Sequence, residues 1–195
     1  MNLFLFWFME TSNFIDGKTV SLCPINKDHF SLYLKWQHDP EVRKPNCNRA
    51  ASMTIDQLKK EIERPRPMGP DTIAFEVCYK PENKPVGTCN LHSISWRDEH
   101  ASIGIAIGET EYWGKGIGTE AIQILLHYGF RELDLHVIFA SIYSPNIGSQ
   151  AAHQKAGLKF EAKLKEYVLE GGKYYDLYTY GITQDEWQTR YKQHP

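Results

Sequence analysis

Ser102-Ile-Gly-Ile-Ala-Ile-Gly-Glu-Thr-Glu-Tyr-Trp-Gly-Lys-Gly-Ile-Gly-Thr-Glu-Ala121 sets the architecture of the chain. Ile103, Ile105 and Ile107 alternate as in a β-strand, and Gly114, Gly116 and Gly118 lead into a long amphipathic helical pattern. Glycine tolerates positive φ and lets a ligand approach the backbone. The first N–H groups of a helix are unpaired and sit at the positive end of its dipole. The stretch is therefore a candidate phosphate loop.

Spacing separates three kinds of phosphate loop. A Walker loop has four residues between its first glycine and the Gly-Lys, followed by Ser or Thr for magnesium. Here Gly108 and Gly114 enclose five residues, and Gly116 follows Lys115. Gly116-Ile-Gly118-Thr-Glu-Ala121 does fit a dinucleotide pattern, which wants an acid closing the next strand to hold a ribose hydroxyl. That strand, His136 to Ile142, ends in Tyr143-Ser144-Pro145. A loop for a diphosphate carrying a pantetheine arm is the third kind. In this respect the sequence resembles the GNAT superfamily of acetyl-CoA-dependent N-acetyltransferases, whose signature Q/R-x-x-G-x-G/A lies between a strand and a helix, with Trp113 at the Q/R position. Tyr112 to Ala121 is similar to the branch that acetylates ribosomal-protein N-termini, polyamines and some amino sugars.

A second segment carries the same resemblance. Asn146-Ile-Gly-Ser149-Gln-Ala-Ala-His153-Gln-Lys-Ala-Gly157-Leu-Lys-Phe160 is similar to the family pattern N-x-x-S/A-x-x-x-Y-x-K-x-G-F, with histidine in place of the usual tyrosine. The resemblance implies that Ile105, Ala106 and Ile107 form the edge that bonds the pantetheine. It implies a diphosphate resting on the backbone of Trp113, Gly114, Lys115, Gly116, Ile117, Gly118 and Thr119. Asn146 would contact the pantetheine, and Ser149 would lie near the diphosphate or the sulfur. Ser149 and His153 are then rival acids for the leaving thiolate.

The 195 residues, 42% hydrophobic, suffice for one substantial core. The formal charge of −2 argues against nucleic-acid binding as the main task. Cys23, Cys47, Cys78 and Cys89 form no C-x-x-C pair, which reads as reduced thiols in a cytoplasmic protein. The histidines show no metal-ligand spacing, so no metal is expected. Met1 to Met9 is intensely apolar but far short of a membrane span, and it lacks a basic flank or cleavage site. Residues 1–17 therefore read as an apolar extension with no membrane partner, 18–183 as one domain and 184–195 as a tail.

Along the chain, Thr19 to Cys23 alternates as a strand. Asn26 or Asp28 caps a helix running to Trp36 and the Asp39-Pro40 break, and a second helix spans Thr54 to Arg64. Glu41 to Ser52 and Arg64 to Pro70 read as loops. Thr72 to Tyr79, Pro85 to Ile94 and Ala101 to Ile107 read as strands, Gly116 to Leu133 as a helix, and Val137 to Ile142 as a buried strand. Asn146 to Ala156 is a shorter helix, and Phe160 to Leu169 with Lys173 to Ile182 flank the hairpin signal Gly171-Gly172. This order is that of an α/β (α+β) GNAT fold: a mixed central sheet of six to seven strands, splayed at its centre and flanked by about four helices.

An attacking amine must first lose its proton. On the strand from Phe160 to Val168, Glu166 shares a phase with Phe160, Ala162, Leu164 and Val168, so it is a candidate base among apolar neighbours. Glu76 is a second candidate, and Asp176 could hold a cationic substrate. The expected activity is acetyl transfer from acetyl-CoA to a primary amine by direct attack. The acceptor would be a protein N-terminus, or alternatively a small amine such as a polyamine, amino sugar or aminoglycoside. A non-catalytic acyl-CoA-binding module is the competing reading, and a homodimer is left open.

Overall fold

The computed structural model describes residues 15–48, 54, 56, 57, 60 and 71–193. Eight strands form one sheet: β1 (Ile15–Asp16), β2 (Val20–Pro24), β3 (Thr72–Tyr79), β4 (Lys84–Ser95), β5 (His100–Ile107), β6 (Val137–Tyr143), β7 (Lys159–Glu170) and β8 (Lys173–Thr183). Their spatial order is β1-β2-β3-β4-β5-β6-β8-β7. Every neighbouring pair is antiparallel except β5 with β6. That parallel pair needs a crossover, supplied by the helix that follows the glycine turn. The sheet thus has eight strands where six to seven were expected, because the short β1 is added at its edge. Among the described residues the helices with complete bounds are α1 (Phe30–His38), α2 (Pro40–Arg43), α3 (Ile117–Arg131), α4 (Ile147–Ala156) and α5 (Gln184–Gln193).

The apolar face of α3 buries Ile117, Ala121, Ile122, Leu125, Leu126 and Phe130 against one side of the sheet, where Val77, Leu91 and Ile138 are fully covered. On the other side α1 carries its own cluster of Phe30, Tyr33 and Trp36. Trp36 joins this helix to the start of the glycine turn. A Cβ placed on Gly108 would lie 2.1 Å from the Trp36 ring, and the indole N–H donates to Glu109 at 2.8 Å. The hairpin β7–β8 closes with Glu170 opposite Lys173, and Gly171 and Gly172 both take positive φ (57° and 77°), as a two-residue turn of this kind demands.

Four expectations change. Residues 184–195 are not a tail, because Gln184–Gln193 is helical and Trp187 is buried with its ring 5.4 Å from Phe130. The loop expected from Glu41 includes α2, whose N-cap Asp39 accepts from the Glu41 N–H, followed by a 3-10 turn over Lys44–Asn46. Of the expected extension, Ile15–Asp16 pairs with β2, the Gly17 N–H bonds the Val20 carbonyl, and residues 1–14 lie outside the described residues. Cys23 and Cys78 are not reduced thiols: the β2–β3 register sets them diagonally across the two strands and they are bonded as a disulfide, while Cys89 is a free thiol and both it and Cys47 are buried. Thr54 and Gln57 exchange the bonds of a capping box at the start of the expected second helix. Asp56, Gln57 and Lys60 are helical, and the other residues of that helix and the loop to Pro70 lie outside the described residues. Among the described residues no helix is long and apolar enough to cross a membrane.

Candidate active site

The two central strands part company after three paired residues. His100, Ala101 and Ser102 pair with Val137, Ile138 and Phe139, and the rest of β5 leaves β6. On its other side β5 stays in register with β4 up to Gly87 opposite Ile107, and the Gly108 N–H then bonds the Val86 carbonyl. Antiparallel ladders alternate, so Ala106 and Gly104 turn their backbone groups toward β4 while Ile105 and Ile107 turn theirs to the open edge. One of these groups is already used, since the Trp113 indole N–H donates to the Ile107 carbonyl at 2.8 Å. The others can pair with an extended chain of amides.

A cavity of about 440 Å³ opens along this edge. Ile105, Ala106, Ile107, Trp113, Gly114, Gly116, Ile117, Gly118, Thr119, Asn146 and Ser149 line it. Lys115, expected with them through its backbone, is not among the lining residues, and its ammonium lies 5.0 Å from the centre of the Tyr112 ring, which lines the cavity. Gly114 and Gly116 take φ of 73° and 84° with open space where a side chain would project. Gly116 caps α3 without a side-chain bond, and the first helical bond runs from the Glu120 N–H to the Gly116 carbonyl. The N–H groups of Ile117, Gly118 and Thr119 therefore lack helical partners at the cavity wall, which is the requirement for a diphosphate. Lys155 also lines the cavity. It was not singled out in the sequence, although its spacing from Ser149 and Ala152 along α4 carried the signal.

On α4, Asn146 acts as the N-cap: its Oδ1 accepts from the Ser149 N–H at 3.0 Å, and its Nδ2 donates to Asn46 Oδ1 at 2.8 Å. Both ends of the amide are thus engaged, tying α4 to the turn after α2. The rival acids separate. Ser149 faces the cavity, whereas His153 is 2% exposed and does not line it. A carbonyl can only accept, so the His153 Nδ1–H donates to the Ser149 carbonyl at 2.8 Å and reaches Ser149 Oγ at 3.3 Å. Burial holds the imidazole below its usual value, and its Nε2 is buried without a hydrogen-bond partner among the described residues. A neutral, buried imidazole is a poor acid, so His153 is corrected from proton donor to a support for Ser149. Because Ser149 Oγ accepts from this side, its own proton is free to point into the cavity.

Glu166 is corrected as well. Residues 159–167 of β7 are all exposed, with Phe160 at 52% and Leu164 at 47%, and the register with β8 slips between Leu164 and Val168. Glu166 sits in that slip at φ 52°, its N–H bonded to Asp176 Oδ1. The bulge breaks the alternation on which the apolar surroundings depended. Glu76, by contrast, is 3% exposed and bonded to His29 and Tyr33.

Ser149→Ala removes the hydroxyl and leaves the cap intact. With Ser149 as the proton donor expected from the sequence, the variant is expected to lower kcat about 100-fold with KM for acetyl-CoA little changed, which steady-state kinetics would read.

Residues 20–159 match the acetyltransferase (GNAT) domain family. The chain is 28% identical over 151 residues to the uncharacterized N-acetyltransferase p20 of Bacillus licheniformis, covering 76% of this chain and 84% of that protein. Among solved structures, an acetyltransferase (GNAT family) from Bacillus anthracis matches with a TM-score of 0.72 at 25% identity, covering 89% and 99% of the two chains. The spermidine N-acetyltransferase of Vibrio cholerae, solved with CoA and spermine, shares the fold with a TM-score of 0.78 at 19% identity, covering 88% and 99%. With the splayed edge, the free helix N-terminus and these matches together, the chain belongs to the GNAT family of N-acetyltransferases, and its acyl donor is acetyl-CoA.

Proposed function

We propose that this N-acetyltransferase acts on a protein N-terminal α-amine. The observation that supports the reading is the acidic side chains: none of the described residues that line the cavity is an Asp or Glu, and several acids outside it are already engaged. A polyamine carries several ammonium groups and calls for several unpaired acids. Among the described residues, Asp176, expected to hold a cation, pairs with Lys163 at 2.6 Å and accepts the Glu166 N–H at 2.9 Å. Glu109 is engaged by Trp36, Lys35 and Lys84, and Glu170 accepts from Asn48. An α-amine has a pKa of about 7.7–8.0 and is partly neutral near pH 7, whereas a lysine-like amine near about 10.4 is not.

Acetyl-CoA supplies an activated thioester. In this reading the N–H groups of Ile117 to Thr119 hold its diphosphate, the open edge at Ile105 and Ile107 aligns the pantetheine amides, and Ser149 gives a proton to the departing sulfur. The gain comes chiefly from holding amine and thioester in line. Three acceptors at equal concentration test it: a peptide with a free N-terminus, the same peptide N-acetylated and carrying one lysine, and spermidine. The first is expected to have the highest kcat/KM, by at least tenfold. Spermidine turning over fastest would assign the site to small amines instead.

A further inference from the structure

On the sheet face that carries α1, a buried polar cluster has no part in the chemistry described so far. Glu76 Oε1 accepts from the Tyr33 hydroxyl and, at 2.7 Å, from His29 Nδ1. A carboxylate only accepts, so Nδ1 carries the proton and Nε2 keeps a lone pair. The Glu76 side chain is 4% exposed and that of His29 is 35% exposed. The carboxylate is thus sealed in while the imidazole reaches outward, an arrangement that fixes the tautomer and the orientation of the ring. Burial, followed by the Glu76 carboxylate, pushes the Tyr33 hydroxyl up, so it stays a donor.

Register connects this pair to the cleft. Glu76 lies opposite Thr88, and Thr88 opposite Ala106 of the cavity wall. Residues paired in this way share a face, so the row crosses two strand spacings, about 10 Å. In the next row on that face, Asn90 pairs with Gly104, and a Cβ on Gly104 would lie 2.5 Å from Asn90 Oδ1. That oxygen is buried and has no hydrogen-bond partner among the described residues. It is an unused acceptor lying between the imidazole and the thioester edge.

We propose that His29, oriented by Glu76, receives the proton of the acceptor ammonium through water, and that Asn90 Oδ1 accepts an N–H of the incoming amine. The inference rests on the acetyl-transfer reading. The ammonium gives one proton to the water chain and so to Nε2. The neutral amine attacks the carbonyl carbon, the C–N bond forms and the C–S bond breaks. The second proton passes from nitrogen to the thiolate by way of Ser149, and the imidazolium returns its proton to solvent. Among the described residues the other ionisable groups around the pair are Tyr33 from α1 and Lys27 and Asp28 in the turn before α1, while Cys78 of β3, held in its disulfide with Cys23 of β2, does not titrate.

The test is amine-dependent CoA release by the full chain between pH 6 and 9, a range chosen at about the neutral region where histidine titrates. His29→Ala is expected to lower kcat about 100-fold at unchanged KM for acetyl-CoA, and added imidazole should restore at least about tenfold of that loss. His29→Gln keeps an N–H for Glu76, guarding against loss of the fold, and should abolish the fall in rate on the acid side. A loss in His29→Ala that imidazole does not move would overturn the proposal in favour of a structural anchor. So would His29→Gln with the parent rate and parent pH profile. A parent chain that releases no CoA with any amine would overturn the acetyl-transfer reading, and the base with it.

Discussion

Gly108→Ala is expected to lower stability by about 2–3 kcal/mol, the cost of overpacking a closed contact, which is roughly 5–10 °C in Tm for a chain of this size. A single methyl group has this reach because the site is already filled. The new carbon would lie 2.1 Å from the Trp36 ring, which is 4% exposed and has no room to withdraw. Moving the ring also breaks the indole bond to Glu109, which ties α1 to the start of the glycine turn. That bond, followed by Lys35 and Lys84, holds the Glu109 carboxyl below the usual carboxylate range. A depressed folded value stabilises the native state above the unfolded value, and the contribution is lost as pH falls through the folded value. The gap in Tm between parent and variant should therefore narrow on acidification. Thermal unfolding followed by circular dichroism at neutral and acid pH checks both statements.

Gly116→Val is expected to raise KM for acetyl-CoA at least about tenfold, corresponding to about 1.4 kcal/mol of lost binding, with kcat much less affected. Nothing stands within 4 Å of the new side chain, so crowding is not the cause. The cause is φ of 84°, a region a β-branched residue enters only at a cost of about 1–3 kcal/mol. Relaxing that strain rotates the turn that aims the Ile117, Gly118 and Thr119 N–H groups. Gly118→Ala is the control. Its Cβ would meet Ile107 at 3.8 Å, an ordinary contact, and its φ is not positive, so affinity should stay within about threefold of the parent. Titration calorimetry with acetyl-CoA separates the two variants.

What could be read from the sequence is what local spacing dictates. Alternation in Ile103 to Ile107, three glycines two residues apart and the apolar face of α3 lie within one continuous stretch. They placed the strand, the turn and the helix N-terminus together. The cap at Asn146 was legible for the same reason. Contacts made across the chain were not. Trp36 and Gly108 are 72 positions apart, and nothing in either neighbourhood announces the other. Glu166 was misplaced because a bulge shifts the phase of a strand without marking the sequence, and β7, at the edge of the sheet, leaves the expected apolar face exposed. His153 occupies the expected position on α4, yet its ring turns inward to the Ser149 carbonyl, a choice decided by packing. The link between His29 and Glu76 likewise depends on how α1 lies across β3.

The most direct test of the account is mass-spectrometric detection of free CoA when the chain is mixed with acetyl-CoA and a peptide bearing a free N-terminus. CoA release is expected to require the peptide, to be matched by acetylation of its α-amine, and to fall sharply in Ser149→Ala. Tight binding of acetyl-CoA with no amine-dependent CoA release would contradict it and mark the chain as an acyl-CoA-binding module.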